Sequence, residues 1–119
     1  MTDLNNAFIE YTAAKTQESY DKFIGVFVEN IRGNGSIYVP ITSECALATV
    51  ESQGNGDYYI VCTNENELSL CSSEDTKEIY LKEVVDAMMS NPNVKGICIN
   101  PYNPSPCLIS KYYVMALGV

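Results

Sequence analysis

The sequence predicts a single α/β domain over residues 1–119, with helices packed on a small, largely antiparallel mixed sheet of about five strands. Three observations predict it. Apolar residues recur at helical spacing through the first third of the chain. From Ser36 the period shortens, and β-branched and aromatic runs alternate with Gly- and Asn-rich punctuation. An amphipathic segment at 81–90 then feeds an unbroken apolar run, as a helix returning into a buried strand requires.

The elements follow in order, beginning with an N-terminal helical pair. Leu4, Ala7, Phe8 and Tyr11 share one helical face, with Asp3 or Thr2 as the expected N-cap. A second helix starts after Thr16, whose hydroxyl is placed to cap it. Tyr20, Phe23, Ile24, Phe27 and Ile31 form its apolar stripe, widened by Val28, while Asn30 and Arg32 fall off the stripe. Gly33 is expected to end it in a left-handed conformation.

Three strands are expected at 36–41 (SIYVPI), 46–52 (ALATVES) and 57–63 (DYYIVCT). Asn55-Gly56 between the second and third is a hairpin signal, since both residues accept positive φ. The third run is apolar on both faces and belongs at the centre of the sheet. Pro40 places the first at an edge or lets it fray. The two Gly-Asn-Gly triplets at 33–35 and 54–56 precede strands or join them, so they are turns and not phosphate loops.

Asn64, with Glu67 three residues on, predicts a short helix near 65–71 that turns Leu68 and Cys71 inward. The polar run 72–78 (SSEDTKE) reads as a loop. Leu81, Val84, Val85, Met88 and Met89 predict the helix at 81–90, stopped by Asn91-Pro92. Val94–Asn100 reads as a buried strand, in which Gly96 permits close approach by a neighbour and Pro101 ends the ladder. Residues 107–117 (CLISKYYVMAL) read as a last strand.

Composition bounds the function. Hydrophobic residues make up 46% and charged residues 18%, a globular balance. The opening MTDLNNAFIE has neither a basic n-region nor a long apolar run, so a signal peptide is not expected and a cytoplasmic location is. No stretch approaches the roughly 20 apolar residues of a membrane span. Seven Lys plus Arg against fifteen Asp plus Glu give a formal charge of −8, a field that disfavours nucleic acid.

The chain has five cysteines and no histidine. No C-x-x-C occurs, so no zinc site, other metal site or cofactor is expected, and all five thiols are read as reduced. Cys62 and Cys98 sit in apolar runs as core material. Cys107, after Pro106 and near Lys111, is the least ill-placed thiol for chemistry, but its position favours a buried hydrophobe opening a strand. Glu65, Glu67, Glu74, Asp75 and Glu78 offer carboxylates without the loop frame of a cation site, and read as a solvated face.

The stretch GICINPYNPSPCLI (96–109) resembles the Gly-[Ile/Val]-x-[Ile/Val]-Asn-Pro signature of the SseB-like N-terminal domain, from the bacterial enhanced serine sensitivity protein family. The N-terminal helical pair, IYVPI at 37–41 and GDYYIVCTNENEL at 56–68 agree in order with that family; Cys62-Thr63 is a modest departure. The resemblance spans nearly the whole chain. It implies an α/β domain without an established catalytic residue. Longer members continue past this region, so the chain is expected to correspond to the N-terminal module alone.

Nine tyrosines supply the other functional signal. In Tyr58-Tyr59 and Tyr112-Tyr113, strand geometry would put one ring on each face. Tyr102, framed by Pro101 and by Asn103-Pro104, is the best surface candidate, because a rigid turn presents a ring at little ordering cost. Asn100, Pro101, Tyr102 and Asn103 therefore form the candidate interaction surface of a non-catalytic module that binds a protein partner. The alternative is a small-molecule-binding or thiol-dependent enzyme, which the missing histidine makes harder to build.

Overall fold

The computed structural model describes residues 3–52, 54–73 and 75–119. Its elements, in order, are α1 (Leu4–Ala14), α2 (Gln17–Arg32), β1 (Ser36–Ile41), β2 (Thr49–Glu51), β3 (Asp57–Val61), α3 (Glu65–Ser69), β4 (Asp75–Tyr80), α4 (Leu81–Ser90), β5 (Val94–Ile99), β6 (Cys107–Ser110) and α5 (Lys111–Leu117). Thr2, Gln53 and Glu74 lie outside the described residues.

The strands form two sheets. One is mixed, ordered β2-β3-β5-β6, with β3 and β5 parallel and the other neighbours antiparallel. The other is the antiparallel pair β1-β4. Tyr38 and Cys62 join them, exchanging backbone bonds of 3.0 and 2.8 Å, and a further bridge pairs Ile41 with Leu47 ahead of β2. One main core lies between the inner sheet face and the helices. Tyr59, Val61, Ile97, Ile99 and Ile109 meet Phe8, Phe23, Phe27, Leu81, Val84, Met88 and Val114 there. A smaller cluster of Ile60, Cys62 and Cys71 occupies the opposite face, flanked by Tyr38, Val50 and Leu68.

Local chemistry sets most boundaries as read from the sequence. Asp3 caps α1 through the Asn5 N–H, and Thr16 and Ser19 exchange the bonds of a capping box on α2. Asn64 caps α3, its Oδ1 accepting from the Glu67 N–H at 2.8 Å. Glu83 reaches back to the Tyr80 N–H at the start of α4. β3 and β5 are the two central strands of the mixed sheet. A Cβ on Gly96 would overlap the Ile109 carbonyl oxygen and come within 2.9 Å of the Tyr58 ring, so the close approach is real.

Several expectations give way. Gly33 has φ −96°, and the left-handed residue after α2 is Asn34 at φ 57°. In the β2–β3 hairpin, positive φ falls on Gly54 and Gly56. Asn30 is buried, its Nδ2 donating to the Val26 carbonyl; it stands where a Cβ on Gly35 would be. Residues 75–80 form β4 and not a loop, because an edge strand with exposed side chains carries no hydrophobic period. Backbone pairing to β1 holds it.

The last segment departs most. Only residues 107–110 are strand; 111–117 form α5, capped by Ser110, whose Oγ accepts from the Tyr113 N–H, and closed by left-handed Gly118. Tyr112 and Tyr113 therefore sit on one exposed helix and do not flank a sheet. Tyr58 and Tyr59 are both buried. The described residues thus form six strands in two sheets, with three helices beyond the N-terminal pair.

Candidate functional site

Strands β3 and β5 run parallel and end side by side, and the chain leaves their carboxyl ends through 62–64 and 100–106. The Asn100 N–H donates to the Val61 carbonyl at 2.8 Å, extending the pairing by one residue. Asn100 then takes φ 53°, which Asn tolerates better than most residues, and the chain turns sharply into Pro101.

At that point the sequence assembles a chain of polar side chains from four elements. Thr63 N–H donates to Asn100 Oδ1 at 3.0 Å, and Asn100 Nδ2 donates to Thr63 Oγ1 at 2.9 Å. The Thr63 hydroxyl donates to Asn5 Oδ1 at 2.7 Å, which also accepts from Asn64 Nδ2 at 2.8 Å. Asn103 Nδ2 donates to Glu67 Oε1 at 2.8 Å. The first turn of α1, the end of β3, the start of α3 and the turn after β5 are thereby tied together. Glu67 Oε2 is buried and has no hydrogen-bond partner among the described residues.

The turn also braces itself. Asn103 N–H donates to the Asn100 carbonyl at 3.0 Å, and Ser105 N–H donates to Asn103 Oδ1 at 2.9 Å. Pro101, Pro104 and Pro106 restrict φ at three further positions.

The four residues singled out from the sequence part company here. Asn100 is 1% exposed and its side chain is committed to Thr63. Pro101 and Asn103 are half-buried, and Asn103 is committed to Glu67. Tyr102 is 53% exposed at the tip. Asn100 and Asn103 are thus the pedestal and Tyr102 is what it carries. Sequence reasoning missed Asn5 and Thr63, whose partners lie 58 and 37 positions away along the chain. Only Asn64 and Glu67 carried a local signal, the cap spacing.

Burial holds back ionisation of the four buried thiols. Burial pushes Cys98 and Cys107 up to about 11, and it pushes Cys62 and Cys71 up as well. Cys107 is buried at the start of β6, and Cys98 is buried in β5. Cys45 is exposed. Among the described residues no three Cys, Asp or Glu side chains gather as a metal site. No described helix is long and apolar enough to cross a membrane.

No protein-family model matches the chain, and neither a curated protein nor a solved structure matches it.

Proposed function

We propose that this chain is a cytoplasmic, non-catalytic interaction module that binds a protein partner through the turn after β5, with Tyr102 as its anchor. One observation carries the reading: Tyr102 stands 53% exposed while its neighbours Asn100 and Asn103 are hydrogen-bonded to Thr63 and Glu67. An exposed aromatic ring on a braced turn brings large contact area, and little freedom remains to be lost on binding. The resemblance of residues 96–109 to the SseB-like N-terminal domain supports the same reading, since it implies no catalytic residue. The −8 charge favours a partner with basic character over nucleic acid.

The test is capture on the immobilised chain, comparing wild type with Tyr102→Ala and Tyr102→Ala plus Asn103→Ala. Tyr112→Ala, on the exposed α5, is the control. A protein retained by wild type and by Tyr112→Ala, and lost from both turn variants, supports the reading. Equal recovery on all four overturns it.

A further inference from the structure

A second feature lies at the carboxyl end of α3. Cys62, just beyond β3, and Cys71, just beyond α3, place their sulfurs 3.6 Å apart. This is the only hydrogen-bonded pair of sulfurs among the described residues. Cys62 is fully buried. Cys71 is nearly so, yet it lines a cleft of about 550 Å³ together with Tyr38, Leu68, Ser73 and Lys77. One thiol therefore borders the cleft and the other lies against it from behind.

We propose that Cys62 and Cys71 are a reversible oxidation site, converted to an intramolecular disulfide by a low-molecular-weight disulfide entering this cleft. Cys71 gives its proton to solvent, and its thiolate attacks one sulfur of the small disulfide. That breaks the small S–S bond, forms a mixed disulfide and releases one thiolate. Cys62, deprotonated in turn, attacks the Cys71 sulfur, forms the Cys62–Cys71 bond and expels the second thiolate. The protein pair gives up two electrons, the small disulfide takes them, and the two released thiolates take up protons.

The order of attack follows from position. Cys71 lines the cleft, and a hydrogen bond from Cys62 favours its ionised form against the burial that pushes it up. Cys62 is shielded from the cleft and has Cys71 as its sulfur neighbour. Reaching the S–S length of about 2.05 Å needs an approach of roughly 1.5 Å. Cys71 can supply it, because it sits in the irregular segment after α3, held there by the Leu68 carbonyl and a long 3.7 Å contact to the Glu67 carbonyl. The bond would tie the far end of α3 to the end of β3. Neither this chemistry nor its test depends on the partner reading.

The experiment uses folded, reduced protein carrying Cys45→Ser, incubated with oxidised glutathione and mapped by peptide mass spectrometry. The expected result is a link between the peptides of Cys62 and Cys71, the loss of two titratable thiols, and recovery of both with dithiothreitol. The link should form faster as pH rises above neutral. In a Cys62→Ser variant, glutathione should remain on Cys71. The proposal is overturned if the folded protein forms no such link, if it forms only in denaturant, or if Cys98 and Cys107 are the thiols that react.

Discussion

Thr63 and Asn100 bond to each other twice across the ends of two parallel strands, at 3.0 and 2.9 Å, although 37 positions separate them. The pair closes the end of the mixed sheet, and Asn100 does so from a left-handed backbone at φ 53°. Asn100→Ala should therefore be costly on two counts. It leaves the Thr63 N–H without its acceptor, at about 1–3 kcal/mol, and it puts Ala in a left-handed geometry that Asn tolerates better, at about 1 kcal/mol. Asn100→Gly loses the bonds and not the backbone tolerance, so it should be about 1 kcal/mol less destabilised than the Ala variant. Urea midpoints of the two variants check the difference; equal midpoints would show that the backbone carries no strain.

Glu67 and Asn103 couple α3 to the turn through one 2.8 Å hydrogen bond. A double-mutant cycle with Glu67→Ala and Asn103→Ala should return a coupling of about 1 kcal/mol. Hydrogen exchange at residues 102–105 should quicken in either single variant. A coupling of zero would mean that the turn stands by its prolines and its own internal hydrogen bonds, without help from α3.

Tyr102→Ala should leave stability unchanged within about 0.5 kcal/mol, because the ring is mostly in water. A large drop in melting temperature would make the ring a packing element and not a presented one.

Gly96→Ala should be among the most damaging single changes. The new methyl meets the Ile109 carbonyl and the Tyr58 ring, so β5 and β6 would have to separate. Overpacking of this kind costs about 1–3 kcal/mol, and backbone on one side leaves little room to relax. Thermal unfolding measures it; wild-type stability would show that the two strands part easily.

Alkaline pH should destabilise the fold. Cys98 and Cys107 hold their protons to about 11 against an ordinary 9.0, because burial disfavours the thiolate. Tyr20 is pushed to about 12 from 10.0, by burial first and then by Cys107 and the neighbouring Tyr113 and Tyr11. In each case the folded chain binds the proton more tightly than the unfolded chain does. The stabilisation is whole below pH 9 for the thiols and below pH 10 for Tyr20, and it is lost as pH rises to about 11 and 12 respectively. Urea midpoints under reducing conditions should fall through that window. The slope should flatten in Cys98→Ala and Cys107→Ala; an unaltered slope in both would assign the fall to other groups.

The sequence by itself determined the elements whose signals are local. α2 is written in its apolar stripe and in the Thr16 cap, α3 in Asn64 and Glu67, and β5 in its unbroken apolar run. β4 escaped because its side chains face water, and what makes it a strand is the backbone of β1, some 38 positions earlier at the Val39–Lys77 pairing.

 Val39 and Lys77 face each other in that ladder, and no pattern within residues 75–80 announces the partner. α5 did carry local signals, Ser110 before it and Gly118 after it, which the β-forming run Tyr112-Tyr113-Val114 masked.

Tertiary structure alone decided the site. Asn5, Thr63, Glu67, Asn100 and Asn103 come from three separated stretches, and hydrogen bonds between such residues leave no periodicity to read. The same holds for Cys62 and Cys71, which read as two separate core residues until α3 folds back and brings their sulfurs into contact. Hydrophobic spacing records which face of an element is buried. It does not record which polar group will stand opposite another once the strands have paired, because that depends on where the chain ends of β3 and β5 are placed by the core beneath them.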